Sequence, residues 1–576
     1  MRFDMATKTT KTPSERVKEA DLEILEATIE ALTQAVPVGL SPSKTAASAG
    51  RLAKAMLTQP KAIGRRTMHL TGEMLQIAAG TSDIAPTGDR RFGDSSYASN
   101  PVYKRLAQSY LAGDSALHSL IDDLDLDEKT RLRAELAVNI VSSTTAPTNH
   151  LLGNPAALKE AKRTKGKSLV AGARHAAHDV RHNGGMPSMV DSRPFVPGET
   201  IATTPGVVVF SNPVLELIQY KPTTTKVYKR PIMVVPPQIN KYYILDLAPG
   251  RSLIEHLVGE GQQVFCISWR NAEPSHRDWD LDTYVAAVLE ATEATMEISK
   301  TKDINLLGVC AGGITATAML GHLVATNDKR INSASFLVTV LDWETPSTIG
   351  TFVSPTLAKT VGRMSKRKGV LSGDDLGKLF AWLRPNDLIW NYWVNNYLMG
   401  KNPPEFDVLA WNGDSTNLPA ALHRDFLQIA LTNGMAKAGA VEVLDHPIDL
   451  ADVACDTFVV GAETDHITPW RACYGTVNFL GGNAEFVLSS QGHIQALVNP
   501  SGNPKGRYRT NADAADGPRL DADEWLDGSA EHAGSWWDYW TEWLSSRSDT
   551  SVNAPKTLGS ATHPAGIAAP GEYVLA

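Results

Sequence analysis

Between residues 232 and 341, short apolar runs alternate with helix-patterned stretches, and few architectures accommodate that order. Ile232–Val235, Val264–Trp269, Ile304–Val309 and Ala334–Leu341 are short and rich in β-branched residues. Ser252–Val258, Leu281–Ile298 and Ala311–Ala325 between them carry helical spacing, with Tyr284, Val285, Val288, Leu289 and Met296 on one face of the second. Strands that are apolar throughout are buried on both faces. The pattern therefore predicts an α/β fold whose mostly parallel sheet is covered by helices on both sides. It resumes at Thr457–Ala462 and Glu485–Ser489.

With 576 residues the chain is too long for one ordinary core. Residues 1–200 read as a mainly helical domain: Ser14–Ala35, Ala46–Ala79 and Pro101–Val141 have helical spacing, and Gly80–Asn100 reads as a loop. Residues 201–576 form the expected catalytic domain. Inside it, 343–426 breaks the alternation with a Trp-, Asn- and Pro-rich stretch that reads as an inserted cap or lid. The Ala/Gly/Pro-rich tail at 553–576 is expected to lack regular structure. Trp536, Trp540 and Trp543 share one helical face and are expected to anchor the core.

Composition excludes several classes of function. A net charge of −8 offers no basic excess for nucleic acid. The four cysteines form neither a C-x-x-C pair nor a Cys/His cluster, so no metal site and no disulfide framework is expected. The N-terminus is polar, without a signal-type apolar region, and no run of about 18 apolar residues occurs that could cross a bilayer. A cytoplasmic protein is expected.

The chemistry lies in Gly308-Val309-Cys310-Ala311-Gly312-Gly313, where a predicted strand meets a predicted helix. This is the context of a nucleophile elbow, G-x-S-x-G, with cysteine in place of serine. A lone buried cysteine between packing glycines would look similar, but two downstream signals argue against it. Asp465 follows the strand Thr457–Ala462, and His493 follows the strand Glu485–Ser489. The order nucleophile, acid, histidine is that of α/β-hydrolases. His466 competes for the base role, but its place next to Asp465 makes a relay between the two awkward. The amide after the nucleophile, that of Ala311, is one expected oxyanion donor. The loop Val235-Pro236-Pro237-Gln238-Ile239-Asn240-Lys241-Tyr242-Tyr243 would supply the other; its prolines cannot donate, which leaves Ile239 as the candidate.

At these residues the chain resembles the polyhydroxyalkanoate synthase family. The resemblance is dense from about Asp89 onward. Its strings include Asp89-Arg90-Arg91-Phe92, Pro236-Pro237-Gln238-Ile239-Asn240-Lys241-Tyr242-Tyr243, Arg384-Pro385-Asn386-Asp387-Leu388-Ile389-Trp390-Asn391-Tyr392, Asp465-His466-Ile467-Thr468-Pro469-Trp470 and Ser535-Trp536-Trp537. It implies a Cys310, Asp465, His493 triad in a single-subunit enzyme of the class I/II type that forms a homodimer. It also implies that (R)-3-hydroxyacyl-CoA is the substrate, that no further cofactor is needed, and that the enzyme works at the surface of polyester granules, where phasin-type proteins are possible partners. Several strings look like the medium-chain, class II branch, among them the one containing Gln495. Thr339 looks like the short-chain branch. Asn240, Thr339 and Gln495 are the substrate-pocket candidates, and the preference for side-chain length stays open.

A thioester substrate suits a thiol nucleophile, since the acyl group exchanges between sulfur atoms at little thermodynamic cost. His493 would take the Cys310 proton. Elongation needs a base for the 3-hydroxyl of one acyl unit, either His493 or Asp465. A thioesterase or simple acyltransferase of the same fold, and an inactive granule-binding protein, are the alternatives.

Overall fold

The computed structural model describes residues 60–124, 126, 128–347, 350, 355–511, 514 and 519–576; the expected helix at Ser14–Ala35 lies outside them. The chain divides into two units. One comprises the described part of Met1–Met189 with Lys378–Pro404, the other Val190–Gly377 with Glu405–Ala576.

The first unit is helical, with helices at Pro60–Ala79, Pro101–Asp123, Glu128–Thr145, Pro155–Arg163 and Lys167–His182. Two of them start by the same device. Asn100 caps the amides of Val102 and Tyr103 with Pro101 in the first turn, and Asn154 caps Ala157 with Pro155 in the first turn. In each case a side-chain oxygen satisfies amides that have no carbonyl behind them, and proline loses nothing there. The stretch Lys378–Pro404 was expected inside the cap, yet it packs within this helical unit. Trp393 Nε1 donates to the Asn149 carbonyl at 3.1 Å, Tyr397 Oη donates to the buried Asp179 at 2.7 Å, and Gly172 lies against the Tyr397 backbone, where a Cβ would meet its carbonyl oxygen at 1.9 Å. These are anchors of side chain and backbone shape, which hydrophobic periodicity does not reveal.

The second unit is built on a ten-stranded sheet. Its strands in chain order are β1 (Gly206–Ser211), β2 (Leu215–Tyr220), β3 (Ile232–Val235), β4 (Val264–Trp269), β5 (Ile304–Val309), β6 (Ile331–Leu337), β7 (Asp456–Ala462), β8 (Ala484–Ser489), β9 (Arg507–Thr510) and β10 (Ala530–Ala533). Their spatial order is β1-β2-β4-β3-β5-β6-β7-β8-β9-β10. From β4 to β8 every pairing is parallel, and the two strands at each edge are antiparallel. All residues of β3, β4 and β5 are buried, as a sheet covered on both faces requires. The antiparallel edge strand Ala530–Ala533 escaped the sequence reading because it is exposed and carries no apolar run.

The fourth predicted strand ends earlier than expected. Val338 has a positive φ of 44°, which breaks the extended backbone, so Thr339 stands beyond the strand. The strand order reverses at β3, since β4 lies on one side of it and β5 on the other. A crevice opens at the carboxyl ends of strands at such a switch point, and ligands bind there in open α/β sheets. The predicted tryptophan face is core: Trp536 and Trp540 are fully buried, and Trp540 Nε1 donates to Ser335 of β6 at 2.9 Å. The tail is irregular apart from its first residue, which ends the short strand Ser551–Asn553, and a short turn at Tyr573–Leu575, but it is pinned, with Val207 of β1 bridged to Ala568.

Candidate active site

β5 delivers Cys310 at the switch point, immediately before the helix Ala311–Ala325. Cys310 has φ 51° and ψ −121°, a conformation costly for a residue with a Cβ. Its neighbours hold it there: its amide donates to Leu337 of β6 at 2.9 Å, and its carbonyl accepts from Gly313 at 2.9 Å and from Thr339 Oγ1 at 3.4 Å. The glycines follow from the crowding. A Cβ on Gly312 would stand 2.2 Å from the Pro236 carbonyl oxygen, one on Gly313 2.1 Å from Thr339 Oγ1, and one on Gly308 2.7 Å from the Gly313 Cα. Side chains at these positions would push the elbow off the sheet.

Asp465 and His493, from the loops after β7 and β8, meet at 2.6 Å through Oδ2 and Nδ1. Asp465 is saturated. Its Oδ1 accepts from the amides of Ile467 and Thr468 at 2.8 and 2.9 Å, and its Oδ2 accepts from Thr468 Oγ1 at 2.6 Å. Burial acts to raise the Asp465 carboxyl, but the His493 ring and these hydrogen bonds outweigh it and hold it below its ordinary value. Burial likewise acts to lower His493. The Asp465 charge and hydrogen bond, together with a hydrogen bond to Cys310, prevail and raise it to about 10. The structure thus pairs His493 with Asp465, and Cys310 adds to the shift of the same ring. Trp536 Nε1 donates to the Ala496 carbonyl at 2.9 Å and so braces the short helix His493–Leu497 that carries the histidine. Nothing in the sequence marked Thr468 or Trp536 as supports, because both act by position rather than by motif.

The loop after β3 lies against the elbow, as the contact of Gly312 with Pro236 requires. It is tied at several points: Trp269 Nε1 to the Pro236 carbonyl at 2.8 Å, Gln238 Nε2 to Thr315 Oγ1 at 2.8 Å, and Thr416 Oγ1 to the Gln238 carbonyl at 2.7 Å. At its crest Ile239 and Asn240 are partly exposed, and Asn240 has φ 64°. Ala311, the first residue of the helix, has no carbonyl one turn behind its amide. Of the pocket candidates, Asn240 stands at this crest. Thr339 is fully buried beneath the elbow, in contact with Gly313 rather than facing an open cavity. Gln495 is exposed. Among the described residues no group of three or more His, Cys, Asp or Glu side chains could hold a metal ion, and no helix is long and apolar enough to cross a membrane.

Residues 88–257 match the family described as "Poly-beta-hydroxybutyrate polymerase (PhaC) N-terminus", and residues 231–500 match "alpha/beta hydrolase fold". The chain is 43% identical to poly(3-hydroxyalkanoate) polymerase 1 of Ectopseudomonas oleovorans, over 93% of this chain and 95% of that one. Polymerase 2 of the same organism is 45% identical over 90% of this chain and 92% of its own. The poly(3-hydroxyalkanoate) polymerase subunit PhaC of Cupriavidus necator is 38% identical over 85% of this chain and 84% of its own.

Proposed function

The chain belongs to the poly(3-hydroxyalkanoate) polymerase family of acyltransferases, and from that premise we propose that it polymerises (R)-3-hydroxyacyl-CoA thioesters into polyester, with Cys310 carrying the acyl group. The observation that carries the reading is His493, joined at 2.6 Å to a saturated Asp465 carboxylate, beside the cysteine elbow.

The first half-reaction exchanges one thioester for another. Cys310 attacks the acyl carbonyl, His493 takes the thiol proton, the C–S bond to CoA breaks, and that proton leaves with the CoA thiol. The Asp465 charge that raises His493 stabilises the imidazolium that holds that proton, opposite the Cys310 thiolate. The amides of Ala311 and Ile239 receive the oxyanion that forms between them. In elongation the 3-hydroxyl of one acyl unit attacks the thioester of another. A C–O bond forms, a C–S bond breaks, and the hydroxyl proton passes through His493 to the departing thiolate. Two readings of the base were open from sequence. His493 is favoured, because Asp465 is held below its ordinary value with its oxygens already accepting four hydrogen bonds, which makes it a poor base. An insoluble product keeps the enzyme that is extending it at the granule surface, and a homodimer in contact with phasin-type proteins is the working form.

The test incubates purified protein with (R)-3-hydroxybutyryl-CoA and separately with (R)-3-hydroxydecanoyl-CoA, following CoA release and insoluble polyester, with Cys310→Ala alongside. Polymer from the wild type alone is expected, and the faster substrate assigns the side-chain preference. CoA release with only free hydroxy acid would make the protein a thioesterase, and no release from either substrate would make it an inactive granule binder.

A further inference from the structure

The loop that carries Ile239 is fastened unevenly. Before the crest, Trp269, Thr315 and Thr416 hold it from three sides. After the crest the next residue is Lys241, which is 9% exposed. A buried ammonium needs full compensation. Lys241 Nζ donates to the Val574 carbonyl at 2.6 Å and to the Ala576 carbonyl at 3.1 Å, and pairs with Asp414 at 3.0 Å. Its own carbonyl accepts from Trp411 Nε1 at 2.7 Å.

The tail segment it grips is fixed in turn to the antiparallel edge of the sheet. The buried Glu216 carboxylate of β2 accepts the amides of Glu572 and Tyr573, each at 3.0 Å. Arg270 stacks over the Tyr573 ring at 4.0 Å from its centroid, and Tyr573 Oη donates to the Asn212 carbonyl at 2.8 Å. Gly571 is required at the join, since a Cβ there would lie 2.3 Å from Glu216 Oε2. An irregular tail could pack on the protein in many ways. Here Glu216 holds its backbone, and Arg270 and Asn212 hold the Tyr573 side chain, so that two of its carbonyls meet the ammonium next to the oxyanion loop's crest.

We propose that Lys241 is a positioning residue for acyl transfer: clamped by the segment Glu572–Val574, it sets the backbone of Ile239 and Asn240 where the Ile239 amide meets the developing oxyanion. The proposal rests on the polymerase reading above. Lys241 touches no reacting atom. Its loss loosens the downstream side of the crest and leaves the Cys310–His493–Asp465 contacts in place.

The test compares wild type, Lys241→Met and Lys241→Arg on CoA release from (R)-3-hydroxybutyryl-CoA, and on the rate at which iodoacetamide alkylates Cys310. Alkylation uses the same nucleophile but develops no oxyanion. Since small displacements or the loss of one oxyanion donor reduce turnover by 10²-fold or more, Lys241→Met is expected to lower kcat by about 10- to 100-fold with KM changed by less than about 3-fold. Its alkylation rate should stay within about 2-fold of wild type, and Lys241→Arg, which keeps charge and reach, should recover most of the turnover. Asp414→Asn, at a partly exposed position, weakens the same clamp and is expected to lower kcat in the same direction even if Lys241→Met does not fold. Wild-type kcat in Lys241→Met or in Asp414→Asn would overturn the proposal, as would alkylation that slows in step with turnover. A wild type that releases no CoA would overturn the polymerase reading and the clamp with it.

Discussion

Replacing Gly312 with alanine tests how the elbow and the oxyanion loop share space. The new Cβ would lie 2.2 Å from the Pro236 carbonyl oxygen and 2.4 Å from that of Val235. Both obstacles are backbone, so no side chain can swing away. Real Cβ contacts stop near 3.0 Å, so the loop and the elbow must part by about 0.8 Å, a displacement that costs on the order of 10²-fold in a well-oriented reaction. That factor corresponds to about 2.7 kcal/mol of lost transition-state stabilisation. Overpacking of this kind also costs about 1–3 kcal/mol of stability, so the variant should fold with a lowered melting temperature. The assay is initial-rate CoA release from (R)-3-hydroxybutyryl-CoA, paired with thermal unfolding. Gly377→Ala is the control, because nothing lies within 4 Å of a Cβ there; in its helix, Gly373–Leu383, alanine is expected to be neutral or stabilising by up to about 1 kcal/mol. If Gly312→Ala turned over like wild type, the elbow would not be confined by the loop as described, and the oxyanion geometry would lose its support.

Three further outcomes are expected. In Asp465→Asn the charge that raises His493 is gone. Asp465 stabilises the fold above its ordinary 3.8 and His493 does so below its ordinary 6.5, so the loss of melting temperature should be largest between pH 4 and 6.5 and shrink as pH climbs toward about 10; a loss that does not vary with pH would contradict the pairing. Trp536→Phe removes the donor to Ala496 and should cost about 1–2 kcal/mol of stability in denaturant unfolding, with wild-type stability the contrary result. Iodoacetamide at neutral pH should label Cys310 ahead of the other thiols, since burial raises Cys455 to about 11 and holds Cys266 and Cys473 well above their ordinary value; peptide mapping that found Cys455 labelled first would refute this.

The parallel core of the sheet was legible because its strands are apolar throughout, and the elbow because Gly308, Gly312 and Gly313 have no tolerable replacement in such a turn. Asp465 and His493 were legible because both lie just past strands in the required order. What stayed hidden depends on distant partners. The antiparallel edge strand Ala530–Ala533 is exposed and patternless. Residues 378–404 join the helical unit through contacts such as Tyr397 with Asp179, which no local pattern encodes. The tail composition of Ala, Gly and Pro rightly predicted irregular backbone. It could not show that Glu216, Arg270 and Lys241 fix that backbone in place.

The central claim is that Cys310 carries the acyl group. Butyryl-CoA, which lacks the 3-hydroxyl needed for elongation, should stop the cycle at that stage. Intact mass of the wild type after brief incubation is expected to rise by one butyryl group, mapped to the peptide containing Cys310, released by hydroxylamine and absent from Cys310→Ala. An acyl group on another residue, or polymer made from hydroxyacyl-CoA by Cys310→Ala, would contradict the account.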